Sequence, residues 1–224
     1  MTFSIIGHCP DSGMFGMAVS SSSPAVAARC AHARAGIGVV ASQNVTDPRL
    51  GPRALDLMAR GATAAEAVAI LRRTTPHMEF RQVLALGLTG GPAAHSGPRV
   101  LGKWAEAQGD GCAAGGNLLA GEGVPAAMVS HFEGASGHLG ARLLAALCAG
   151  RDAGGEAGPV HSAGLLVVDR ESWPLVDLRI DWSEDCPIAR LEAAWAVFAP
   201  QMADYVTRAL DPGQAPSYGV PGDE

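Results

Sequence analysis

Apolar residues come in short alternating or continuous bursts along the first part of the chain, separated by turn-forming residues. Residues 3–8 and 14–20 read as two strands joined by Cys9-Pro10-Asp11-Ser12-Gly13, whose Pro, Asp and Gly favour a tight turn. Residues 36–43 are almost continuously apolar, the pattern of a strand covered on both faces. From Asp47-Pro48 the spacing turns helical as far as Arg60 and closes at Gly61. Thr63-Ala64-Ala65-Glu66 is a capping box that starts a second helix at once, with Ala67, Val68 and Leu71 on its apolar face. Residues 81–89 alternate again, Val83, Ala85 and Gly87 against Gln82, Leu84, Leu86 and Leu88, and Gly90-Gly91 turns the chain into 92–97.

A strand ending at Gly115-Gly116-Asn117 is followed by two helices, one opened by Pro125 and running through Phe132, the other lined by Leu139, Leu143 and Leu147 and ending at Gly150. Residues 161–169 and 175–180 form a further strand pair. A last helix opens at Asp185, presents Ile188, Leu191 and Trp195, breaks at Pro200 and resumes to Leu210. Residues 211–224 are rich in Pro and Gly without a period, which predicts an extended arm or disordered end beyond one domain spanning 1–210. Helices arrive in consecutive pairs instead of alternating singly with strands. That order predicts an α+β fold, two antiparallel sheets between two helical layers, a four-layer αββα sandwich.

Composition narrows the partners. With 22 acidic and 16 basic side chains the net charge is −6, and no Lys/Arg run offers a footprint for nucleic acid. No apolar stretch reaches the ~20 residues of a membrane span. The first residues lack the basic head of a secretory signal, so the cytoplasm is the expected compartment. Five cysteines, odd in number and without a C-x-x-C pair, point to buried free thiols. The seven histidines show no metal-ligand spacing, the glycine-rich stretch 109–116 lacks the nucleotide-loop pattern, and Ser20–Ser23 forms no G-x-S-x-G elbow. Neither a metal nor another cofactor is expected.

Thr2 carries the candidate chemistry. Removal of Met1 would leave a hydroxyl and a free α-amine on one residue, and an α-amine titrates near pH ~8, low enough for a neutral fraction to accept the hydroxyl proton. Thr2 equally suits the plain start of a strand, which β-branched residues favour.

The stretch Thr2-Phe3-Ser4-Ile5-Ile6-Gly7, a turn, then Gly16-Met17-Ala18-Val19-Ser20, and Arg34-Ala35-Gly36 opening a strand that ends in Ala41-Ser42-Gln43, resembles the start of proteasome-type N-terminal-nucleophile (Ntn) hydrolases. From Thr2 to about Leu191 the chain resembles the family DUF1028 more closely. The segments that carry this include Leu50-Gly51-Pro52-Arg53, Gly116-Asn117-Leu118-Leu119-Ala120-Gly121 and Asp177-Leu178-Arg179-Ile180-Asp181. The resemblance implies an Ntn-type amidohydrolase acting on a small molecule through Thr2. It puts Arg34 where proteasome-type chains carry a lysine, and Ser20 roughly where an aspartate orients that lysine. Both are departures, since arginine hardly exchanges a proton. It also implies an oxyanion region in the backbone N–H groups around Ser42 and Gln43, a further donor in the Asn117 amide, and a place for Ser162 beside the nucleophile. His161 stands where relatives have a more charged stretch. Ordinary turn, cap or ion-pair chemistry remains the alternative for each of these side chains. Such relatives associate, so a homodimer is expected. The competing reading is a non-catalytic binding or oligomeric scaffold on the same fold.

Overall fold

The structure, a computed structural model, describes residues 2–223; Met1 and Glu224, and with Met1 the expected trimming of the chain, lie outside the described residues. A six-stranded antiparallel sheet is built in the order β10 (Val176–Ile180), β9 (Ser162–Val168), β2 (Phe15–Ser21), β1 (Thr2–His8), β8 (Cys112–Asn117), β7 (Ala105–Gly109). A four-stranded sheet runs β3 (Ala31–Arg34), β4 (Gly38–Asn44), β5 (Arg81–Gly87), β6 (Ala93–Ser96). The helices are α1 (Val26–Cys30), α2 (Leu50–Ala59), α3 (Ala64–Thr74), α4 (Val124–Gly134), α5 (Leu139–Asp152), α6 (Pro187–Phe198) and α7 (Met202–Leu210).

Strand alternation sorts the core into three layers. Ile6, Met17 and Val19 face Val39, Ala41, Leu84 and Leu86 between the sheets. Phe3, Ile5, Ala18 and Leu165 turn the other way, onto Phe132, Leu143, Leu147, Ile188 and Leu191 of α4, α5 and α6. Val40, Val83 and Ala85 pack beneath Leu50, Leu55 and Leu71 of α2 and α3. The molecule is therefore an αββα sandwich, and each fully buried Phe or Leu contributes about 1.5–3 kcal/mol to it. Close packing explains a cross-strand glycine pair, Gly7 opposite Gly16. A Cβ on Gly7 would stand 2.7 Å from the Phe132 ring, and one on Gly16 2.9 Å from Leu143.

Three elements are absent from the sequence pattern: α1, β3 and β7. Arg34 ends the edge strand β3, and Gly36, at φ 67°, turns the chain into β4, so the strand expected over residues 36–43 begins at Gly38. Ile188 and Leu191 of the last helix are buried against the large sheet. Of the free cysteines Cys30 and Cys112 are buried, whereas Cys186, beside the first turn of α6, is exposed. Beyond α7, the chain folds back on that helix: Arg208 lies over the Tyr218 ring at 3.8 Å and donates to the Pro216 carbonyl at 3.1 Å. Among the described residues no helix is long and apolar enough to cross a membrane.

Candidate functional site

Thr2 opens β1, at the centre of the large sheet with β2 on one side and β8 on the other, and is 6% exposed. It shares the face of Ser4 and Ile6, so its hydroxyl looks toward the second sheet. That hydroxyl donates to Ser21 Oγ at 3.3 Å, and Ser21 Oγ accepts the Ser23 N–H at 3.0 Å. Ser21 pairs across with Ser162, whose hydroxyl donates to the Ser23 carbonyl at 2.6 Å and accepts the Val26 N–H at 3.3 Å. Ser162 thereby ties the Ser22–Ser23 loop and the start of α1 to the sheet.

On the other flank Thr2 pairs with Asn117. A seam of buried amides runs from here between the sheets. Ser4 donates to Gln43 Oε1 at 2.7 Å, Gln43 Nε2 donates to Gln82 Oε1 at 2.8 Å and to the Gly115 carbonyl at 3.1 Å, and Asn117 Nδ2 donates to Gln82 Oε1 at 3.1 Å. Gln82 Nε2 in turn donates to the Gly116 carbonyl at 3.1 Å and to Ser96 Oγ at 3.0 Å. Asn117 Oδ1 is buried without a partner, an exception to the rule that interior polar atoms are satisfied. Leu118, next along, is held at φ 52°, a left-handed conformation that costs of order 1 kcal/mol and here re-aims the chain as β8 ends.

Glu156 closes the cluster, and nothing in the sequence pattern singled it out. Its carboxylate, 6% exposed, accepts the Ser22 N–H through both oxygens, at 3.2 and 3.3 Å, and its backbone bridges Leu119 just beyond β8. Burial pushes its carboxyl up to about 7, against the opposing pull of the Ser22 hydrogen bonds and of nearby His161. The His161 N–H donates to the Ser21 carbonyl at 2.8 Å. Its ring stacks on Trp182 at 4.4 Å, with Nδ1 2.9 Å from the Ser183 carbonyl. A carbonyl only accepts, so the ring carries a proton on Nδ1.

Three expected residues are placed elsewhere. Ser20 lies opposite Phe3, on the helical face of the sheet, and donates to the Ser162 carbonyl at 3.0 Å; the serine beside Thr2 is Ser21. Ser42 points to the α2 side of its sheet and donates to the Asp47 carbonyl at 2.9 Å, while its neighbour Gln43 faces the seam. Arg34 pairs with Asp56 at 2.8 Å, both side chains about half exposed. It shares a surface depression with Val168, which sits opposite Phe15. Phe15 and Ser21 are the two ends of β2, roughly 20 Å apart, so Arg34 supplies no charge to Thr2. A cleft lined by Asp169, Trp173, Leu175 and Val206 also lies at that far end and gathers no nucleophile. Among the described residues no three His, Cys, Asp or Glu side chains converge as a metal-ion set.

The family model DUF1028, described as a family of unknown function, matches residues 2–191. A solved DUF1028 structure from Silicibacter pomeroyi is 30% identical, superposes with a TM-score of 0.83 and covers 91% of this chain and 92% of that one. A looser likeness, TM-score 0.40 and 14% identity over 91% of this chain and 97% of the other, is to Anbu (ancestral beta-subunit) from Yersinia bercovieri. No functionally curated protein matches the chain.

Proposed function

The chain belongs to the DUF1028 family, and from that premise we propose that it is an N-terminal-nucleophile hydrolase cleaving a C–N bond of a small molecule through Thr2. The observation that carries the reading is the place of the Thr2 hydroxyl: at the head of the central strand, on the inter-sheet face, between Ser21 and the unsatisfied carboxamide of Asn117. With Met1 removed, Oγ1 attacks an amide carbonyl and its proton passes to the α-amine of the same residue. The resulting ammonium protonates the departing amine as the C–N bond breaks, leaving an ester on Oγ1, and water then cleaves that ester to return the hydroxyl and release the acid. Asn117 keeps one N–H beyond the bond to Gln82, and that N–H is the proposed donor to the oxyanion.

Intact-mass measurement of protein from the native host, followed by treatment with an aryl sulfonyl fluoride, tests this. Loss of Met1 with one adduct on Thr2, absent in Thr2→Ala, is the expected result; amidase activity that survives Thr2→Ala refutes it. The placement of Arg34 and Ser20 away from Thr2, which leaves no lysine and aspartate pair, favours the second reading, a non-catalytic small-molecule binder. That reading expects Met1 to be retained. The proposal includes a homodimer in the cytoplasm, formed through exposed residues of α6 and α7 such as Val197 and Tyr205.

A further inference from the structure

We infer that Glu156 is the positioning residue for the Thr2 α-amine: its carboxylate holds the amine at the end of β1 and stabilises the ammonium that forms when the hydroxyl proton is taken up. The inference rests on the proposed reading, because it needs Thr2 at the chain terminus.

Sheet geometry carries it. In a strand, the N–H and C=O of one residue point to the same neighbour, and successive residues point to opposite sides. The Ser21 carbonyl accepts from His161, on the β9 side, so the Ser22 N–H points the other way, into the lane of β1. The pairing of Phe3 with Ser20 places Ser22 one residue beyond Thr2 in that lane. There the Ser22 N–H meets the Glu156 carboxylate.

The opposite wall agrees. Thr2 pairs with Asn117, and the continuation of β8 pairs with residues 155–157: Leu119 bridges Glu156, the Ala120 N–H donates to the Gly155 carbonyl at 3.0 Å, and the Ala157 N–H donates to the Leu118 carbonyl at 2.9 Å. Both flanking strands therefore place Glu156 directly upstream of Thr2. A buried carboxylate is costly without a cation, and an ammonium at the head of β1 supplies one. Among the described residues, His161 is a titratable side chain close enough to act on the Glu156 carboxyl. Its ring is held by Trp182 and Ser183, on the β9 side of the carboxylate.

In the reaction, this arrangement orients the amine lone pair toward Oγ1 and offsets the positive charge that appears on nitrogen, the part a third group plays for a histidine base.

The test is a titration by NMR on protein shown by mass to lack Met1, with 13Cα-labelled threonine and 13Cδ-labelled glutamate. Replacing Thr2 with Ser identifies the Thr2 resonance by its loss. The Thr2 midpoint is expected to fall by about 1 pH unit in Glu156→Gln and to recover in Glu156→Asp. In the unsubstituted protein, the Glu156 carboxyl resonance should show a second inflection at the amine's midpoint, a readout that does not depend on any variant folding. An unmoved Thr2 midpoint in folded Glu156→Gln, a Glu156 resonance blind to the amine, or retention of Met1 each overturns the inference. Coupled titration without hydrolysis removes the hydrolase reading alone, and hydrolysis with uncoupled titration removes Glu156 alone.

Discussion

Gln82 joins β5 of one sheet to β8 of the other, and replacing it tests whether the amide seam holds the site in shape. Its side chain is fully buried; it accepts from Gln43 and Asn117 and donates to the Gly116 carbonyl and Ser96. Methionine has nearly the same length and volume, so Gln82→Met leaves little cavity and isolates the polar loss. Gln43 Nε2 keeps the Gly115 carbonyl and Ser96 keeps Glu106. Asn117 Nδ2 loses its acceptor and the Gly116 carbonyl loses a side-chain donor. At about 1–3 kcal/mol for each buried group left unsatisfied, the expected cost is about 2–4 kcal/mol. Urea unfolding at neutral pH measures it, with an unchanged slope showing that the unfolded state has not moved. Gln43→Met combined with Gln82→Met should cost less than the two single losses together, because both ends of their shared bond disappear at once. A loss below about 1 kcal/mol for Gln82→Met, or strict additivity, would show that the seam is not the interlock described.

Two further outcomes concern stability away from the site. The Thr63 and Glu66 capping box is fully formed, with Glu66 N–H donating to Thr63 Oγ1 and Thr63 N–H to the Glu66 carboxylate; Thr63→Ala should cost about 1 kcal/mol in urea unfolding, and Thr63→Ser almost nothing. Asp47 accepts Arg49 Nε and Nη2, each at 2.8 Å, and the Arg49 hydrogen bonds hold its carboxyl down to about 2 from an ordinary 3.8. A depressed carboxyl binds fewer protons folded than unfolded, so its stabilisation is present above pH ~4 and fades as pH falls through 3.8 toward 2. Arg49 is 79% exposed, which screens the pair, and the advantage over Asp47→Asn should be about 1 kcal/mol at pH 7 and close to nil at pH 2; equal differences at both would remove the pair from the account.

How much of this was legible follows from how each element advertises itself. The alternation in β5 and the capping box of α3 are local signals, because the pleat and the orphan N–H groups act within a few residues. β3 and β7 are short edge strands built on alanine. Ala105, Ala107 and Ala33 are too small to write a period, and pairing imposed by β8 and β4 decides their conformation. Ser21 and Ser20 are chemically identical in sequence, and only the register of β2 against β1 says which one meets Thr2. Gln82 did carry a signal, a carboxamide on the otherwise apolar face of Leu84 and Leu86. The change of charge after Gly155 drew attention to His161, although the carboxylate that remained, Glu156, is the one in line with β1. No local pattern could place it there, since the pairing that does so joins residue 119 to residue 156.

The register that separates Ser21 from Ser20 also limits what the site can tolerate. Thr2, Asn117, Ser21 and Ser162 share one face because four strands alternate in phase, and a slip of β1 by a single residue would turn the Thr2 hydroxyl into the helical layer now filled by Phe3. Phe3 is held there by Met128, Leu147 and the rest of that core, and Gly7 and Gly16 admit Phe132 and Leu143 only in the observed register. The position of the hydroxyl is therefore fixed by packing as far as five residues along β1, at Gly7. Residues 22–25 and 153–161 are loops held to the strand ends by Ser162 and Glu156, and on the proposed reading they are the walls that the small molecule meets. On the same reading, changes in those loops alter what is bound without moving Thr2. On that reading, the loss of charge between Glu156 and His161 that the resemblance implies is a change of that kind.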